Sequence, residues 1–500
     1  MNSSLHPKLV TSFIDGAFVP PSPSAHRLDI INPSTEGVLA QLCEAEASEV
    51  DRAVQAAHTA YEQGRWRNLP MEQRAAVMRR VAELTEQHSD ALCQLETLDL
   101  GMPVRLAQGM VTSRVARNFR FYADFLSQAA ERAVRVDGQY QRYVHRDPIG
   151  VCGLISPWNA PLMLATSKIA PALAFGNTCV IKPSEYTPLA LARFMELLIE
   201  AGVPAGVVNM VNGRGHVTGA ALVDHPQVRM VSFTGGGEAG RAIASSAGRG
   251  LKKCDLELGG KSACIISDSA DLDGALEGCL QGIYPNSGQA CFANSRVLLQ
   301  RGIADQFLER FVARSRQVRV GDPQDAATEM GPLAYAAHFE RVRSFCEPDA
   351  ADRVQVLCGG ERVGTQGYFL QATVLLTDNP QARAWREEIF GPVVTFMVYD
   401  TFEQALELAN DSRYGLAAYL WSNRLDEVTA ASEHLLAGTL MVNSPMVLYL
   451  RMPFGGYNES GVGREGIEGM RALYTEEKSV ALALRPFTPA LRFGASGAAE

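Results

Sequence analysis

The sequence lacks several features that would point directly to a function. Its ten cysteines include no Cys-x-x-Cys pair, and its nine histidines do not join them at zinc spacing, so no metal site is predicted. No stretch approaches the ~18 consecutive apolar residues of a membrane span. Basic residues are not in excess, because 46 Lys and Arg face 55 Asp and Glu, a net charge of −9. That balance excludes a generally basic nucleic-acid surface.

The N-terminal segment also has no apolar core of signal-peptide length. Scattered cysteines fit reduced thiols, so the sequence predicts a soluble, cytoplasmic protein without nucleic-acid or membrane partners. What is present is ordinary for a globular chain: 47% hydrophobic and 20% charged residues. Five hundred residues exceed one hydrophobic core and predict two or three domains.

Apolar strands alternate with helices between residues 149 and 266, which indicates a parallel sheet covered on both faces. Such sheets bind ligands beyond the carboxyl ends of their strands. The predicted strands lie at 149–155, 178–181, 207–211, 228–233 and 262–267, with helices at 162–175 and 187–201. Outside this run the sequence predicts a hairpin at 12–19, helices over 71–99 and 104–131, a small hairpin near 134–145 and a strand at 478–484.

Polar residues follow the first two strands. Asn159 stands between Trp158 and a proline, so its amide lies on a stiff backbone and either meets a ligand or stabilises its own turn. Lys182 and Glu185 follow the second strand in a chain with only seven lysines. They suit a ribose diol, although a surface ion pair is the alternative. A carboxylate at Glu185 would repel a 2′-phosphate, so the ligand interpretation favours NAD over NADP.

Glycines and a carboxylate follow the later strands. The turn from Phe233 to Gly240 opens a helix with Gly-x-x-x-x-Gly spacing, which suits either a pyrophosphate or a plain turn. Glu257 precedes two glycines on a predicted turn. Partial burial near a thiol would raise the pKa of Glu257 and make it a general base, whereas the alternative is a solvated loop carboxylate.

Cys291 lies between a Gly-Gln turn and the apolar run 297–299. A free cysteine is by default a small apolar residue, so its interpretation as a nucleophile depends on the base and donors elsewhere in the chain.

Seven blocks in fixed order resemble the motifs of the aldehyde dehydrogenase family, over residues 10 to 485. They are 157–159, 182–185, 233–235, 257–261, 288–291, 388–392 and 453–456. The resemblance implies that Cys291 attacks the aldehyde, that Asn159 and the Cys291 N–H hold the oxyanion, and that Glu257 activates water to release a carboxylic acid. Lys168 and Glu465 match positions of a proton relay.

The resemblance also implies an NAD site and a family fold. The implied NAD residues are Ile155, Ser156, Trp158, Lys182, Ser184, Glu185, Gly215, Gly219, Phe233, Thr234, Gly235, Gly236, Leu258, Glu388 and Phe390. The implied α/β fold has a Rossmann-type parallel-sheet cofactor domain (1–124 and 149–258), an α/β catalytic domain (259–474), a small β oligomerisation ribbon (125–148 and 475–487) and a tail (488–500). Homo-oligomers, dimers or tetramers, are expected. Gly236 departs from the family pattern, which has serine there, so slightly altered cofactor affinity is expected.

The substrate pocket is predicted by position to be lined by Ala160, Leu164, Ser167, Phe292, Leu448 and Arg451. Small residues predict a wide, apolar pocket for a medium-chain, terpenoid or aryl aldehyde. Arg451 is either a rim residue facing water or the cation that recognises an acid semialdehyde. No aromatic box for a quaternary ammonium is evident, which disfavours betaine aldehyde.

Two rival functions remain to be tested. A CoA-acylating enzyme generally lacks the glutamate that stands here at Glu257. An inactive structural homologue is disfavoured because Cys291, Glu257 and Asn159 are all present.

Overall fold

The computed structural model describes residues 6–128, 133–135 and 139–486. The predicted tail and the tip of the 134–145 hairpin lie outside the described residues. In the first half the strands are β1 (Leu9–Val10), β2 (Phe13–Ile14), β3 (Ala17–Phe18), β4 (Arg27–Ile31), β5 (Val38–Cys43), β6 (Ala133–Arg135), β7 (Tyr140–Pro148), β8 (Val151–Ile155), β9 (Thr178–Lys182), β10 (Val208–Met210), β11 (Val228–Thr234) and β12 (Lys253–Glu257). In the second half they are β13 (Ala263–Ile266), β14 (Arg296–Gln300), β15 (Val354–Cys358), β16 (Thr373–Thr377), β17 (Val393–Tyr399), β18 (Ala417–Trp421), β19 (Thr439–Val442), β20 (Gly461–Val462) and β21 (Thr475–Ala483).

The helices surround these strands. They are α1 (Ala47–Glu62), α2 (Met71–Gln87), α3 (Ser89–Leu100), α4 (Val104–Met110), α5 (Ala116–Gln128), α6 (Pro161–Ala174), α7 (Leu189–Glu200), α8 (Ala220–Asp224), α9 (Gly237–Arg249), α10 (Leu272–Ile283), α11 (Arg301–Ser315), α12 (Ala336–Arg343), α13 (Arg383–Arg386), α14 (Phe402–Asn410), α15 (Leu425–His434) and α16 (Ile467–Tyr474). The predicted helix over 71–99 is two helices, α2 and α3, separated at His88. The predicted helix from 104 contains a π turn at Val111–Val115 between α4 and α5.

Two large sheets organise the chain. The eight-stranded sheet has the order β20-β12-β11-β8-β9-β10-β2-β3, and its strands from β12 to β10 run parallel. The seven-stranded sheet has the order β15-β16-β17-β14-β13-β18-β19 and is parallel except for β15. The α/β class with parallel sheets is therefore confirmed.

One predicted strand lies in the other sheet. The sequence placed 262–267 at the end of the first parallel run, but β13 pairs with β14 and β18 in the seven-stranded sheet. The parallel run of the first sheet ends instead with β12, a segment that the sequence pattern predicts as the approach to a turn. The prediction was wrong here because an apolar pattern predicts a strand without naming its neighbours.

Alternation of side chains explains why both faces of the first sheet are covered. Cys152 and Leu154 face the core that α2, α3, α5, α6 and α7 complete, while Val151 and Ile155 face a second core with α1. The late strand β21 pairs antiparallel with β7, which also carries β6. This ribbon exposes Tyr143, Leu482 and Leu484. The predicted domain boundaries stay predictions.

Two buried carboxylates on α3 hold the starts of other helices. Glu96 Oε1 accepts from the Leu162 N–H of α6 at 2.9 Å, and Asp99 Oδ2 accepts from the Leu189 N–H of α7 at 3.0 Å. First-turn N–H groups have no partner within their own helix, so these contacts satisfy them from a neighbouring helix. Burial raises the pKa of Glu96 to about 7, against the lowering effect of the Leu162 N–H.

We expect Glu96→Gln to remove a pH-dependent loss of stability. The folded-state pKa of Glu96, about 7, lies above the unfolded value of about 4.3. Its contribution to stability is therefore full below the unfolded pKa and is lost as the pH rises through 7, at a cost of about 3 kcal/mol. Glutamine keeps the acceptor and does not ionise, so the variant should have the higher apparent unfolding temperature at pH 8.5 and match the wild type below about pH 4.

Glu86→Gln is the matched control for thermal unfolding across the same pH range. Glu86 lies on the neighbouring helix α2, is exposed and pairs with Arg120, which lowers its pKa. Its contribution is lost toward low pH, so the control should change stability with the opposite sign. An unchanged pH profile in Glu96→Gln would contradict the assignment.

Candidate active site

Unpaired polar groups collect at the carboxyl ends of the first sheet. Ser156 follows β8 and Thr234 ends β11, and both hydroxyls are buried without a partner among the described residues. At the end of β9, Lys182 Nζ lies 3.3 Å from Glu185 Oε2 and also donates to the Pro183 carbonyl at 2.8 Å. Buried hydroxyls are normally bonded, so these two leave donors and acceptors for a ligand at this edge.

Glycines keep this edge open to a ligand. A Cβ at Gly219, which ends the π turn begun at Gly215, would lie 3.5 Å from Lys182 and 3.9 Å from Ile155. The Phe233 ring covers Gly235, and Leu258 packs on Gly240 of α9. Gly236 caps the N-terminus of α9, and a Cβ there would meet nothing within 4 Å. A serine, which the family pattern has at this position, would therefore fit in place of Gly236 without a clash.

An aromatic cluster joins two residues that the sequence placed far apart. The Trp158 ring meets Phe390 edge to face at 5.3 Å and Tyr335 at 5.5 Å. Phe390 has a left-handed backbone (φ 60°), and its carbonyl accepts from His338 Nε2 at 2.8 Å. Burial lowers the pKa of His338 to about 4, so the ring is neutral at pH 7 and donates from Nε2.

Glu388 is held beside the same cluster. Its Oε1 accepts from the Gly260 N–H at 2.8 Å, and its backbone carbonyl accepts from Arg341. A Cβ at Gly259 would lie 2.3 Å from Glu388 Oε2, so only glycine permits this approach. Ser184, by contrast, accepts from the Tyr186 N–H in its own turn. The sequence does not predict His338, Arg341 or Tyr335 as site residues, because none of them belongs to a recognisable motif.

Glu257 ends β12 and is buried, not on a solvated turn. Its side chain is 4% exposed, and neither carboxylate oxygen has a partner among the described residues. Burial raises the pKa of Glu257 well above its ordinary value, and the charges of Glu465 and Asp255 raise it further. Lys168 and Arg464 oppose this shift. A buried carboxylate with a raised pKa and free oxygens can accept a proton from water.

A buried polar chain leads away from Glu257. Lys168 Nζ donates to Ser232 Oγ at 3.0 Å and lies 3.5 Å from Glu465 Oε1. Ser232 Oγ in turn donates to Asp255 Oδ2 at 2.9 Å. The predicted pair Lys168 and Glu465 is thus brought together. The sequence reading missed Asp255 and Ser232, although Asp255 and Glu257 are two residues apart and therefore share one face of β12.

Cys291 lies between the two large sheets. It follows the turn Pro285–Gly288 and precedes β14, and a Cβ at Gly260 would lie 2.4 Å from the Cys291 carbonyl oxygen. Of the ten cysteines only Cys254 and Cys291 are partly exposed. Burial raises the pKa of the Cys291 thiol, and the charges of Glu388 and Glu257 raise it further. The side chain therefore rests as a thiol.

Asn159 is fastened to the loop that carries Cys291. Its Nδ2 donates to the Gln289 carbonyl at 2.9 Å, and its second N–H has no partner among the described residues. Asn286 Nδ2 donates to the Asn159 carbonyl at 2.7 Å, so each asparagine holds the other's loop. Asn286 and Ser287 have left-handed backbones (φ 52° and 56°), a strained arrangement that persists only where contacts enforce it.

We expect Asn286 to be a positioning residue for the Asn159 amide. Asn286→Asp keeps a side chain that tolerates φ 52° but loses the N–H donor to Asn159, so kcat should fall roughly 10- to 100-fold with little change in KM. Steady-state kinetics separate the two constants.

Ser287→Ala is the control in the same strained turn, because its hydroxyl donates to the Gly331 carbonyl instead. A kcat of Asn286→Asp equal to that of the wild type would show that only the shape of the turn affects catalysis, and would contradict the positioning role.

The six residues predicted to line the pocket differ in exposure. Ala160 caps α6 and is buried, while Leu164, Ser167, Phe292 and Leu448 are half-buried. The Ser167 hydroxyl donates to the Leu164 carbonyl of its own helix. Arg451 is exposed and lies over the Phe121 ring at 5.9 Å. Val447, Tyr449 and Met452 nearby are also exposed, so the mouth is partly apolar.

Comparison with known proteins identifies the family of the chain. The family model described as the aldehyde dehydrogenase family matches residues 18–480. The putative aldehyde dehydrogenase DhaS of Bacillus subtilis is 40% identical over 470 residues, 94% of each chain. The human mitochondrial aldehyde dehydrogenase is 41% identical over 453 residues, 90% of this chain and 87% of its own.

A solved structure matches in three dimensions as well. The NAD+ complex of aldehyde dehydrogenase from Bacillus cereus has a TM-score of 0.92 and 39% identity, over 95% of this chain and 97% of that one. With matches of this extent in both sequence and fold, the chain belongs to the aldehyde dehydrogenase family.

Proposed function

We propose that the protein oxidises an aldehyde to the carboxylic acid with NAD, through a covalent adduct on Cys291. One observation carries this proposal: the partly exposed Cys291 thiol lies close enough to Glu257 for the carboxylate charge to raise the pKa of the thiol. Both oxygens of this buried carboxylate have no partner among the described residues. A cysteine nucleophile and a free base are what a two-step oxidation with hydrolysis requires.

The residues divide the reaction between them. Cys291 loses its proton to water, and its sulfur then bonds to the aldehyde carbon as the carbonyl π bond opens, which forms the oxyanion of a thiohemiacetal. The second N–H of Asn159 and the Cys291 N–H stabilise the oxygen that becomes negative. NAD, when bound, supplies the acceptor for the hydride that leaves this carbon. The adduct is then a thioester, and Glu257 takes a proton from the water that attacks it, so that the C–S bond breaks and the acid departs.

The chain offers a binding site of fitting chemistry for NAD. Lys182 and Glu185 would hold the adenosine ribose, and the free hydroxyls of Ser156 and Thr234 lie at the same sheet edge. Gly235 and Gly236 would meet the pyrophosphate at the start of α9, and Glu388 with Phe390 the nicotinamide ribose. The complex of the Bacillus cereus relative with NAD+ supports the same choice. Glu185 disfavours NADP because its carboxylate would face the 2′-phosphate.

The buried chain from Glu257 suggests how its proton leaves. Lys168, Glu465, Ser232 and Asp255 form a connected set beside it. Lys168 and Glu465 would carry the proton onward, and Asp255 with Ser232 would hold Lys168 in place.

The pocket walls favour an aldehyde with an apolar body, medium-chain, terpenoid or aryl. The acid semialdehyde alternative has its own supporting observation, because Arg451 is exposed at the predicted mouth.

Assays with octanal, benzaldehyde, citral and succinic semialdehyde, each with NAD and with NADP, test the proposal. NADH and the free acid should form together, and added CoA should yield no acyl-CoA. Acyl-CoA as the main product would overturn the hydrolytic mechanism, and no NADH from any aldehyde would overturn the function.

We also propose that the ribbon β6-β7-β21 joins subunits into a homo-oligomer. Its exposed Tyr143, Leu482 and Leu484 would be covered by a partner. Light scattering should give a multiple of the 54.2 kDa chain mass, and a monomer would contradict the proposal.

A further inference from the structure

Three arginines at the predicted mouth of the pocket have no acidic partner in the part of the chain that the structure describes. Arg114, Arg117 and Arg451 make no salt bridge with any residue in the described ranges, whereas arginines elsewhere on the surface pair repeatedly with carboxylates. Burial lowers the pKa of Arg114, and its main charged neighbour, Arg117, lowers it further. The mouth is therefore a site of unbalanced positive charge on a chain whose net charge is −9.

Contacts tie Arg114 and Arg451 to the same loop and helix, and Arg117 lies close enough to Arg114 to lower its pKa. Arg114 Nη1 donates to the Leu448 carbonyl at 3.3 Å, and Arg451 lies over the ring of Phe121, two helical turns further on. The loop 448–451 consequently runs along the face of α5 and its preceding π turn that carries Arg114 and Arg117. π turns are frequent at functional sites, because they change the direction in which side chains project.

The same helix face reaches the pocket. Asn118, one turn after Arg114, donates to Thr166 Oγ1 on α6 at 3.2 Å. Thr166 is adjacent in sequence to Ser167, and α6 also carries Leu164 and begins two residues after Asn159. Arg114 therefore lies where the helix that bears the pocket wall meets the loop of Leu448.

Arg114 has the chemistry to bind a carboxylate. It is half-buried, and one nitrogen of its guanidinium is used by the Leu448 carbonyl. A guanidinium is a planar fork that matches a carboxylate with two hydrogen bonds, and a partly desolvated cation gains most from such a partner. The exposed Arg117 and Arg451 would act at longer range, by attracting an anion toward the mouth.

We propose that the physiological substrate is an aldehyde that carries a carboxylate at the far end of an apolar body, and that Arg114 binds this carboxylate. This inference rests on the proposed oxidation at Cys291 and adds the substrate class. Such a substrate accounts for both the apolar walls and the cationic rim of the pocket. Phe292 and Leu164 would contact its apolar body, and the arginines would contact its distal carboxylate. A cationic aldehyde would be repelled.

Matched pairs of aldehydes test the inference. Octanal against 8-oxooctanoate, and benzaldehyde against 4-carboxybenzaldehyde, differ only in the distal carboxylate. We expect kcat/KM to favour the carboxylate of each pair about 10-fold or more, with a preference that declines as salt is added. Arg114→Gln should reduce the preference roughly 10- to 100-fold, mainly through KM. Arg114→Lys, which keeps the charge but loses the fork, should restore part of it.

Arg105→Gln is the matched control, because Arg105 is exposed on α4 and contacts the Ala326 carbonyl far from Leu448. It removes the same charge and should leave the preference unchanged. Arg117→Gln and Arg451→Gln should weaken mainly the salt dependence, and they provide a result if Arg114→Gln does not fold. Preference for the neutral aldehydes, or equal effects of Arg114→Gln and Arg105→Gln, would overturn the inference while the oxidation stands. NADH from neither member of a pair would instead refute the oxidation itself.

Discussion

Glu257→Gln should produce about one NADH per subunit in a rapid burst and then almost stop. Glutamine has the size of glutamate but cannot take a proton from water, so the thioester on Cys291 should form and then persist. Loss of a general base typically costs 10²- to 10⁴-fold, and the steady-state rate should fall by an amount in this range. Stopped-flow absorbance measures the burst, and mass spectrometry should find the acyl group on the peptide that contains Cys291.

Glu468→Gln provides the matched control for this burst. Glu468 lies three residues after Glu465, but it is exposed and pairs with Arg471 on the same helix. This variant should turn over steadily at the wild-type rate. A Glu257→Gln enzyme that continues to release acid at the wild-type rate would refute the role of Glu257, and one without any burst would move its role to a step before hydride transfer.

The pH dependence of the same step follows from the neighbours of Glu257. Glu257 works as a base only when it is deprotonated, so its raised pKa predicts that steady-state turnover increases with pH. Asp255→Asn removes a neighbouring negative charge that raises the pKa. The pH profile of this variant should therefore move toward lower pH, and a shift toward higher pH would contradict the placement of Asp255.

Local pattern predicted most of the framework that carries this chemistry. The strands that end near Ser156, Lys182 and Thr234 were expected within a residue or two, because buried parallel strands give continuous apolar runs. β12 was missed, since its Lys253, Asp255 and Glu257 interrupt such a run. Asp255 and Glu257 belong to the buried polar cluster, so a strand with functional residues departs from the apolar pattern that identifies ordinary strands.

The contacts across the site could not be predicted from local pattern. Trp158 meets Phe390, and Asn159 meets Asn286, over more than a hundred residues of chain. Motif order alone indicated that such blocks belong together. His338 and Arg341 donate to the carbonyls of Phe390 and Ile389 from a helix whose sequence resembles any surface helix. Arg114 differs from other arginines only in having no carboxylate partner among the described residues, which a sequence pattern does not reveal.

Cys291→Ala should abolish NADH formation with every aldehyde, because no other sulfur is placed to form the adduct. Cys254→Ala is the control, since Cys254 is the other partly exposed cysteine and lies in β12 among apolar side chains.

Alkylation by iodoacetamide tests the protonation state of Cys291 in the resting enzyme. The raised pKa of Cys291 predicts slow alkylation at pH 7 that accelerates up to tenfold for each pH unit, as the thiolate fraction grows. Removal of the Glu257 charge in Glu257→Gln lowers this pKa and should speed alkylation, although it stalls turnover. Slower alkylation in that variant would mean that Glu257 activates the thiol as well as the water, and NADH formation by Cys291→Ala would refute the covalent mechanism.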